Sequence, residues 1–109
     1  MFYTLWFIME KDFRYVELFE LYQSLLTKRQ RELFSSHYLF DLSLAEIAEP
    51  EGNTRQSVYS AIKKVKQKLD EYEKDLGLYK KNAELTDLAQ KIKEGNEELS
   101  NKILDIIGR

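Results

Sequence analysis

Residues 42–69 read LSLAEIAEPEGNTRQSVYSAIKKVKQKL, and this stretch decides the fold. The hydroxyl of Ser43 suits a helix N-cap, and Glu46 three positions on completes the form of a capping box. Leu44, Ile47 and Ala48 supply a short inward stripe. Pro50 disfavours helical geometry at Glu49, so the first helix is expected to end there. Gly52 and Asn53 both tolerate positive φ and allow a sharp turn. Thr54 caps a second helix, whose buried stripe is Val58, Ile62, Val65 and Leu69. A short capped helix, a glycine turn and a longer helix with a polar leading face make a helix-turn-helix.

Working outward, a chain of 109 residues holds one small domain with room for a helical extension. Hydrophobic residues at 43% support a core, and 33% charged residues suit an all-α protein. One proline and four glycines favour long helices over a many-stranded sheet. The absence of cysteine excludes disulfides and thiolate metal sites and fits a reducing interior. The net charge of −2 conceals a partition: residues 27–69 carry eight Lys/Arg against five Asp/Glu, and the remainder nine against fourteen. Within the second helix, Arg55, Lys63, Lys64, Lys66 and Lys68 precede the first acid, Asp70. Phosphate responds to such a local patch, so the total charge neither vetoes nor recommends nucleic acid.

Residues 1–9, MFYTLWFIM, are apolar but fall short of the roughly 20 residues that span a bilayer. They also lack the basic leader and cleavage site of a secretory signal. Residues 1–8 are expected to be a non-native stub, with translation starting at Met9. From Asp12, a wide aromatic stripe of Phe13, Val16, Phe19, Leu21, Tyr22, Leu25 and Leu26 predicts a helix that serves the core or also a dimer contact. Thr27 and Gln30 form a second capping box and open a helix through Leu39, with Leu33, Phe34, His37 and Tyr38 inward. Lys28, Arg29 and Arg31 crowd its first turn, where cations oppose the helix dipole, so phosphate contact or simple solvation explains them better than stability. His37 is the lone histidine and reads as a packing or surface residue, with no second ligand for a metal and no triad.

The stripe of the second helix continues through Tyr72, Leu76 and Tyr79 as a heptad seam, which Gly77 can kink or end. Leu85, Leu88, Ala89 and Ile92 predict a further helix closed by Gly95-Asn96, and Leu99, Ile103, Leu104, Ile106 and Ile107 a last one. These tails either fold back on the long helix or pair across a two-fold axis. The domain boundaries implied are a stub at 1–8, a helix-turn-helix domain at 9–80 and a helical C-terminal extension at 81–109.

The face with chemistry to offer lies at the start of the second helix. Arg55 can fork onto guanine and Gln56 can pair with adenine in the major groove. Tyr59 and Ser60 suit sugar or phosphate, while Lys63, Lys64 and Lys66 follow where the helix rises over the backbone. The amides at Thr54 add a place for a phosphate. With Lys28, Arg29 and Arg31, these are the candidate nucleic-acid-binding residues. No nucleophile arrangement, phosphate loop or metal cluster is present, so neither an enzyme nor a cofactor is expected.

The blocks LTKRQRELF (26–34), LSLAEIAE (42–49) and TRQSV (54–58) resemble the C-terminal domain of bacterial sigma factors. More closely, LFELYQSLLT (18–27), SLAEIAE (43–49), RQSVY (55–59) and LDEYE (69–73) resemble the bacterial YlxM family, over about residues 9–80. The resemblance implies an all-helical, wingless DNA-binding protein, a homodimer in the bacterial cytoplasm, without membrane insertion. It further implies a part in, or regulation of, the signal recognition particle pathway, and the alternative partner is that particle's RNA or GTPase. The chain departs from the family pattern at Pro50, Glu51 and Asn53, where lost apolar plugs are expected to loosen the paired helices while Pro50 stiffens the turn.

Overall fold

The computed structural model describes residues 13–108, and every regular element among them is helical. Residues 13–22 form α1, followed by a 3₁₀ turn at Gln23–Leu25. Then come α2 (Lys28–Phe34), a π-type turn (Ser35–Leu39), α3 (Leu44–Ala48), a 3₁₀ turn (Glu49–Glu51), α4 (Arg55–Leu76), α5 (Leu78–Lys93) and α6 (Glu97–Ile107). The chain forms two compact units, one up to Asp75 and one from Leu76. The division falls somewhat before the expected boundary at Lys80. The expected stub at residues 1–8 and start at Met9 lie outside the described residues.

Both capping boxes form. Thr27 Oγ1 accepts from the Gln30 amide while Gln30 accepts from the Thr27 amide, and Ser43 and Glu46 do the same at α3. Leu33 of α2, Ile47 and Ala48 of α3, and Val58 and Ile62 of α4 bury one shared cluster, with Tyr38, Leu44 and Ala61 against it. This is the helix-turn-helix core. Val65 and Leu69 are fully buried and continue it along α4.

Several local expectations change. Glu49 keeps right-handed helical geometry despite Pro50, because the chain tightens into a 3₁₀ turn that places proline where no amide is needed. The reversal comes at Gly52, at φ 68° and ψ 23°. There the Asn53 amide donates to the Ala48 carbonyl at 3.0 Å and the Gly52 amide to Glu49 at 3.1 Å, a Schellman stop. Asn53 does not take positive φ; among the described non-glycine residues Asp41 does, at 56°.

The helix opened by Thr27 widens at Ser35 instead of running on to Leu39. The Phe40 amide reaches back to Ser35 and the Leu42 amide to Ser36, both at 3.0 Å. In this wider turn, residues four apart come nearly into line, and Tyr38 stacks on Phe34 at 4.5 Å with 13° between planes. Phe19 stacks on the other face of Phe34 at 4.5 Å, making a three-ring column. Leu39 and Phe40 are left outside, Phe40 at 71% exposure. His37 Nδ1–H donates to the Leu42 carbonyl at 2.8 Å, so the histidine latches the connector.

Of the seven stripe residues, Phe19, Tyr22 and Leu26 are buried together with Leu18, while Val16 and Leu21 are half-buried and Phe13 and Leu25 stay exposed. A polar ladder adds to the attachment of α1 to α4. Tyr15 Oη donates to Asp70 at 2.7 Å beside an Arg14–Asp70 ion pair, and Tyr22 Oη donates to Glu73 at 2.7 Å. Lys66 Nζ sits over the Tyr15 ring at 4.8 Å and the Tyr38 ring at 5.4 Å.

The heptad seam does not run through Tyr79. Leu76 is exposed and Gly77 takes φ 63°, a left-handed residue that stops α4 and starts α5. In the second unit α5 and α6 pack on each other, with Ala89 and Ser100 buried at the seam and Ser100 Oγ donating to the Ala89 carbonyl. Asn96 caps α6 by accepting from the Leu99 amide at 3.0 Å.

Burial first, and then the hydrogen bond to Asp70, push the Tyr15 phenol from 10.0 up to about 12. Its contribution to stability is complete below pH 10 and disappears as the pH rises toward 12. Denaturant midpoints measured from pH 9 to 12 should fall across that window, and fall less steeply in Tyr15→Phe. Equal slopes in the two proteins would show that Tyr15 does not carry the effect.

Candidate nucleic-acid interface

The face of interest exists because Val58, Ile62, Val65 and Leu69 commit one side of α4 to the core. Gln56, Ser60 and Lys63 follow at steps of four and three on the exposed side, with Lys64 beside them. Arg55 is exposed in the first turn, and Tyr59 is half exposed on the flank. Thr54 Oγ1 accepts from the Ser57 amide at 3.1 Å, so this hydroxyl holds the start of the helix in place. The side chains of Arg55, Gln56, Lys63 and Lys64 make no ion pair or hydrogen bond among the described residues. Gln67 is exposed four residues after Lys63 and extends the same line. The sequence expectations omit it, although the spacing 56, 60, 63, 67 points to it.

The cations of α2 behave differently. Arg29 makes a two-pronged contact with the Glu51 carboxylate, and Asn53 Nδ2 donates to the same carboxylate at 3.2 Å. That pairing holds the Glu51 carboxyl below its ordinary range and raises the Arg29 guanidinium. Arg31 Nη1 donates to the Leu26 carbonyl at 2.6 Å and to Gln23 at 3.4 Å, closing the end of the preceding turn. Lys28 lies 3.9 Å from Glu32 and is mostly exposed. The expectation that these first-turn cations are not placed for structure is corrected for Arg29 and Arg31, because both have firm intramolecular partners. The same clasp bears on the expected loosening of the turn: through Glu51 and Asn53 it ties the turn to α2.

Lys66, grouped by sequence with the backbone-facing lysines, is turned aside between two tyrosine rings. The described structure thus gathers Thr54, Arg55, Gln56, Tyr59, Ser60, Lys63 and Lys64 on one helix, with Lys28 as the loosely held cation of α2. Tyr59 and Lys63 also border a small recess of about 80 Å³ shared with His37, Tyr38, Leu44, Ile62 and Lys66.

The family model described as "Putative helix-turn-helix protein, YlxM / p13 like" matches residues 9–107. The chain belongs to the UPF0122 family. A UPF0122 protein of Caldanaerobacter subterraneus subsp. tengcongensis is 46% identical over 87 residues, 79% of this chain and 74% of that protein. One of Halalkalibacterium halodurans is 44% identical over 87 residues, covering 80% of each. One of Bacillus cereus strain AH187 is 47% identical over 87 residues, 80% of this chain and 79% of that protein. The family match reaches through the tail, where the sequence blocks had stopped near Lys80. The printed description of UPF0122 is that of a helix-turn-helix family. Among the described residues no helix is long and apolar enough to cross a membrane.

If the Arg29–Glu51 clasp fixes the turn, Arg29→Met should lower the hydrogen-exchange protection of the Gly52 and Asn53 amides while leaving that of the Val65 amide unchanged. Unchanged protection at Gly52 and Asn53 would mean that the Schellman bonds hold the turn unaided.

Proposed function

We propose that the chain binds DNA by laying the first three turns of α4 in a major groove. Arg55 and Gln56 then read base edges, Tyr59 and Ser60 contact sugar or phosphate, and Lys63 and Lys64 take the rising backbone, with Lys28 as an outlying phosphate contact. The observation that carries this reading is that, among the described residues, Arg55, Gln56, Lys63 and Lys64 have no ion-pair or hydrogen-bond partner for their side chains, whereas Arg29, Arg31 and Lys66 are occupied. The description of the family as helix-turn-helix supports it. The place of action is the bacterial cytoplasm, in regulation of the signal recognition particle pathway, as the YlxM resemblance implies.

A second reading is contact with that particle's RNA or GTPase. One observation favours a protein partner: exposed Phe13, Leu39 and Phe40 lie beside an open groove of about 500 Å³ lined by Phe13, Val16, His37, Tyr38, Asp41, Leu42 and Ser43. Capture from lysate with and without nuclease separates the readings, since promoter fragments, a ribonucleoprotein or a GTPase alone would be recovered.

On duplexes selected from genomic fragments, Arg55→Ala and Gln56→Ala should each cost about 1–3 kcal/mol of binding free energy and relax sequence preference. Lys63→Ala should weaken binding to all sequences and reduce the salt slope by about one. Unchanged affinity in both Arg55→Ala and Gln56→Ala would remove the groove-reading mode.

A further inference from the structure

Lys66 has surroundings unlike those of the other α4 lysines. It is half-buried, with Nζ 4.8 Å from the centre of the Tyr15 ring and 5.4 Å from that of Tyr38. The ring faces attract its charge. An ammonium also carries three N–H donors, and among the described residues Lys66 makes no ion pair or hydrogen bond. Asp70, one turn on in α4, is the acid at helical reach of Lys66. It is already engaged, by Arg14 at 3.2 Å and by the Tyr15 hydroxyl at 2.7 Å.

Lys66 lines the recess of about 80 Å³ that Lys63 also borders. The two lie one turn apart on α4, a spacing at which like charges repel. No carboxylate in the lining offsets them. His37 and the rings of Tyr38 and Tyr59 complete the polar part, and Leu44 and Ile62 supply the apolar part. Asp41 lines the neighbouring groove and not this recess. His37 spends Nδ1–H on the Leu42 carbonyl, so Nε2 keeps its hydrogen-bonding capacity. The Tyr59 hydroxyl makes no hydrogen bond among the described residues.

Two ammonium groups, an imidazole and phenol hydroxyls around a small space free of acids select a compact anion. One water needs about 10–15 Å³, so the recess suits a tetrahedral oxyanion and is too small for a nucleobase. A phosphomonoester carries close to two negative charges at neutral pH, whereas each backbone phosphodiester carries one. Two lysines match the monoester. We infer that this recess binds the phosphate group of a phosphomonoester, held by Lys63 and Lys66 with His37 and Tyr59 as further hydrogen-bonding groups. The group is borne by a small free molecule or by the end of a nucleic-acid strand, and the chemistry recognised is the same. Arg55 and Gln56 do not line the recess, so the inference stands apart from the reading of base edges.

The test titrates the isotope-labelled full chain with inorganic phosphate slightly above neutral pH, where it is chiefly the dianion, with sodium chloride keeping the ionic strength constant. Amide shifts should saturate and centre on Tyr38, Tyr59, Lys63 and Lys66. Lys63→Met, at an exposed position, and Lys66→Met, which keeps an unbranched chain against the tyrosine rings, should each weaken binding about tenfold or more. Lys74→Met removes the same charge from α4 about two turns beyond Lys66 and should leave the affinity unchanged. Circular dichroism verifies that the variants stay folded. Two short duplexes, alike but for a 5′-phosphate, then separate the sources. Tighter binding of the phosphorylated duplex, lost in Lys66→Met, identifies a strand end. Equal binding of the two duplexes beside a saturable phosphate response identifies a small free ligand. Shifts that never saturate, or that Lys74→Met and Lys66→Met diminish equally, mark general charge screening and overturn the inference. Saturable binding indifferent to both Lys63→Met and Lys66→Met overturns it as well. A failed phosphate titration leaves the Arg55→Ala test of groove reading untouched, so the two proposals fall separately.

Discussion

The reversal at Gly52 is the constraint on which the first unit depends. α3 has only five residues, far too few to persist as an isolated helix in water. It exists because Ser43 and Glu46 satisfy its leading amides, the left-handed glycine satisfies its trailing carbonyls, and Ile47 and Ala48 are buried on α2 and α4. A Cβ at position 52 would meet no atom within 4 Å, so the demand for glycine is conformational and not one of space. Left-handed backbone costs other L-residues roughly 1–2 kcal/mol. Without that bend, Val58 and Ile62 would not be delivered to Ile47 and Ala48, and the outer face of α4 would have no fixed direction.

Around this bend the basic residues divide into two populations. Arg14, Arg29, Arg31 and Lys66 are tied to Asp70, Glu51, backbone carbonyls and tyrosine rings, and each tie joins segments that are distant in sequence or closes a turn. Among the described residues Arg55, Lys63 and Lys64 have no such ties, and they share one helix with Gln56 and Ser60. A cation without a structural partner keeps its full donor capacity for a ligand, and this separation, more than net charge, defines the candidate face.

Much of this was legible in residues 42–69. Ser43, Glu46, Gly52 and Thr54 act through local hydrogen bonds and backbone preference, which a sequence displays directly. The stripe Val58, Ile62, Val65 and Leu69 followed from helical period alone. The rest depends on contacts between residues far apart in the chain. That Arg29 would meet Glu51, or Lys66 enter between Tyr15 and Tyr38, has no signature in spacing. The π-type turn at Ser35–Leu39 was hidden because it goes with the stacking of Phe19, Phe34 and Tyr38, which a helical pattern does not distinguish from ordinary burial. Pro50 misled in the other direction: its rule against helical geometry at the preceding residue yielded to a 3₁₀ turn that needs no amide there. Gly77 is legible as a kink or a stop, but the apolar spacing that continues to Tyr79 gave no means of choosing between them.

The central claim is that one exposed face of α4 meets nucleic acid. Its most direct test is a titration of isotope-labelled protein with short duplexes, followed by amide chemical shifts. The account predicts that the largest shifts lie between Thr54 and Gln67, fade as salt is raised, and spare the amides of α5 and α6. Shifts confined to Leu39, Phe40 and the groove beside Phe13, or no shifts on α4 at saturating duplex, would contradict it.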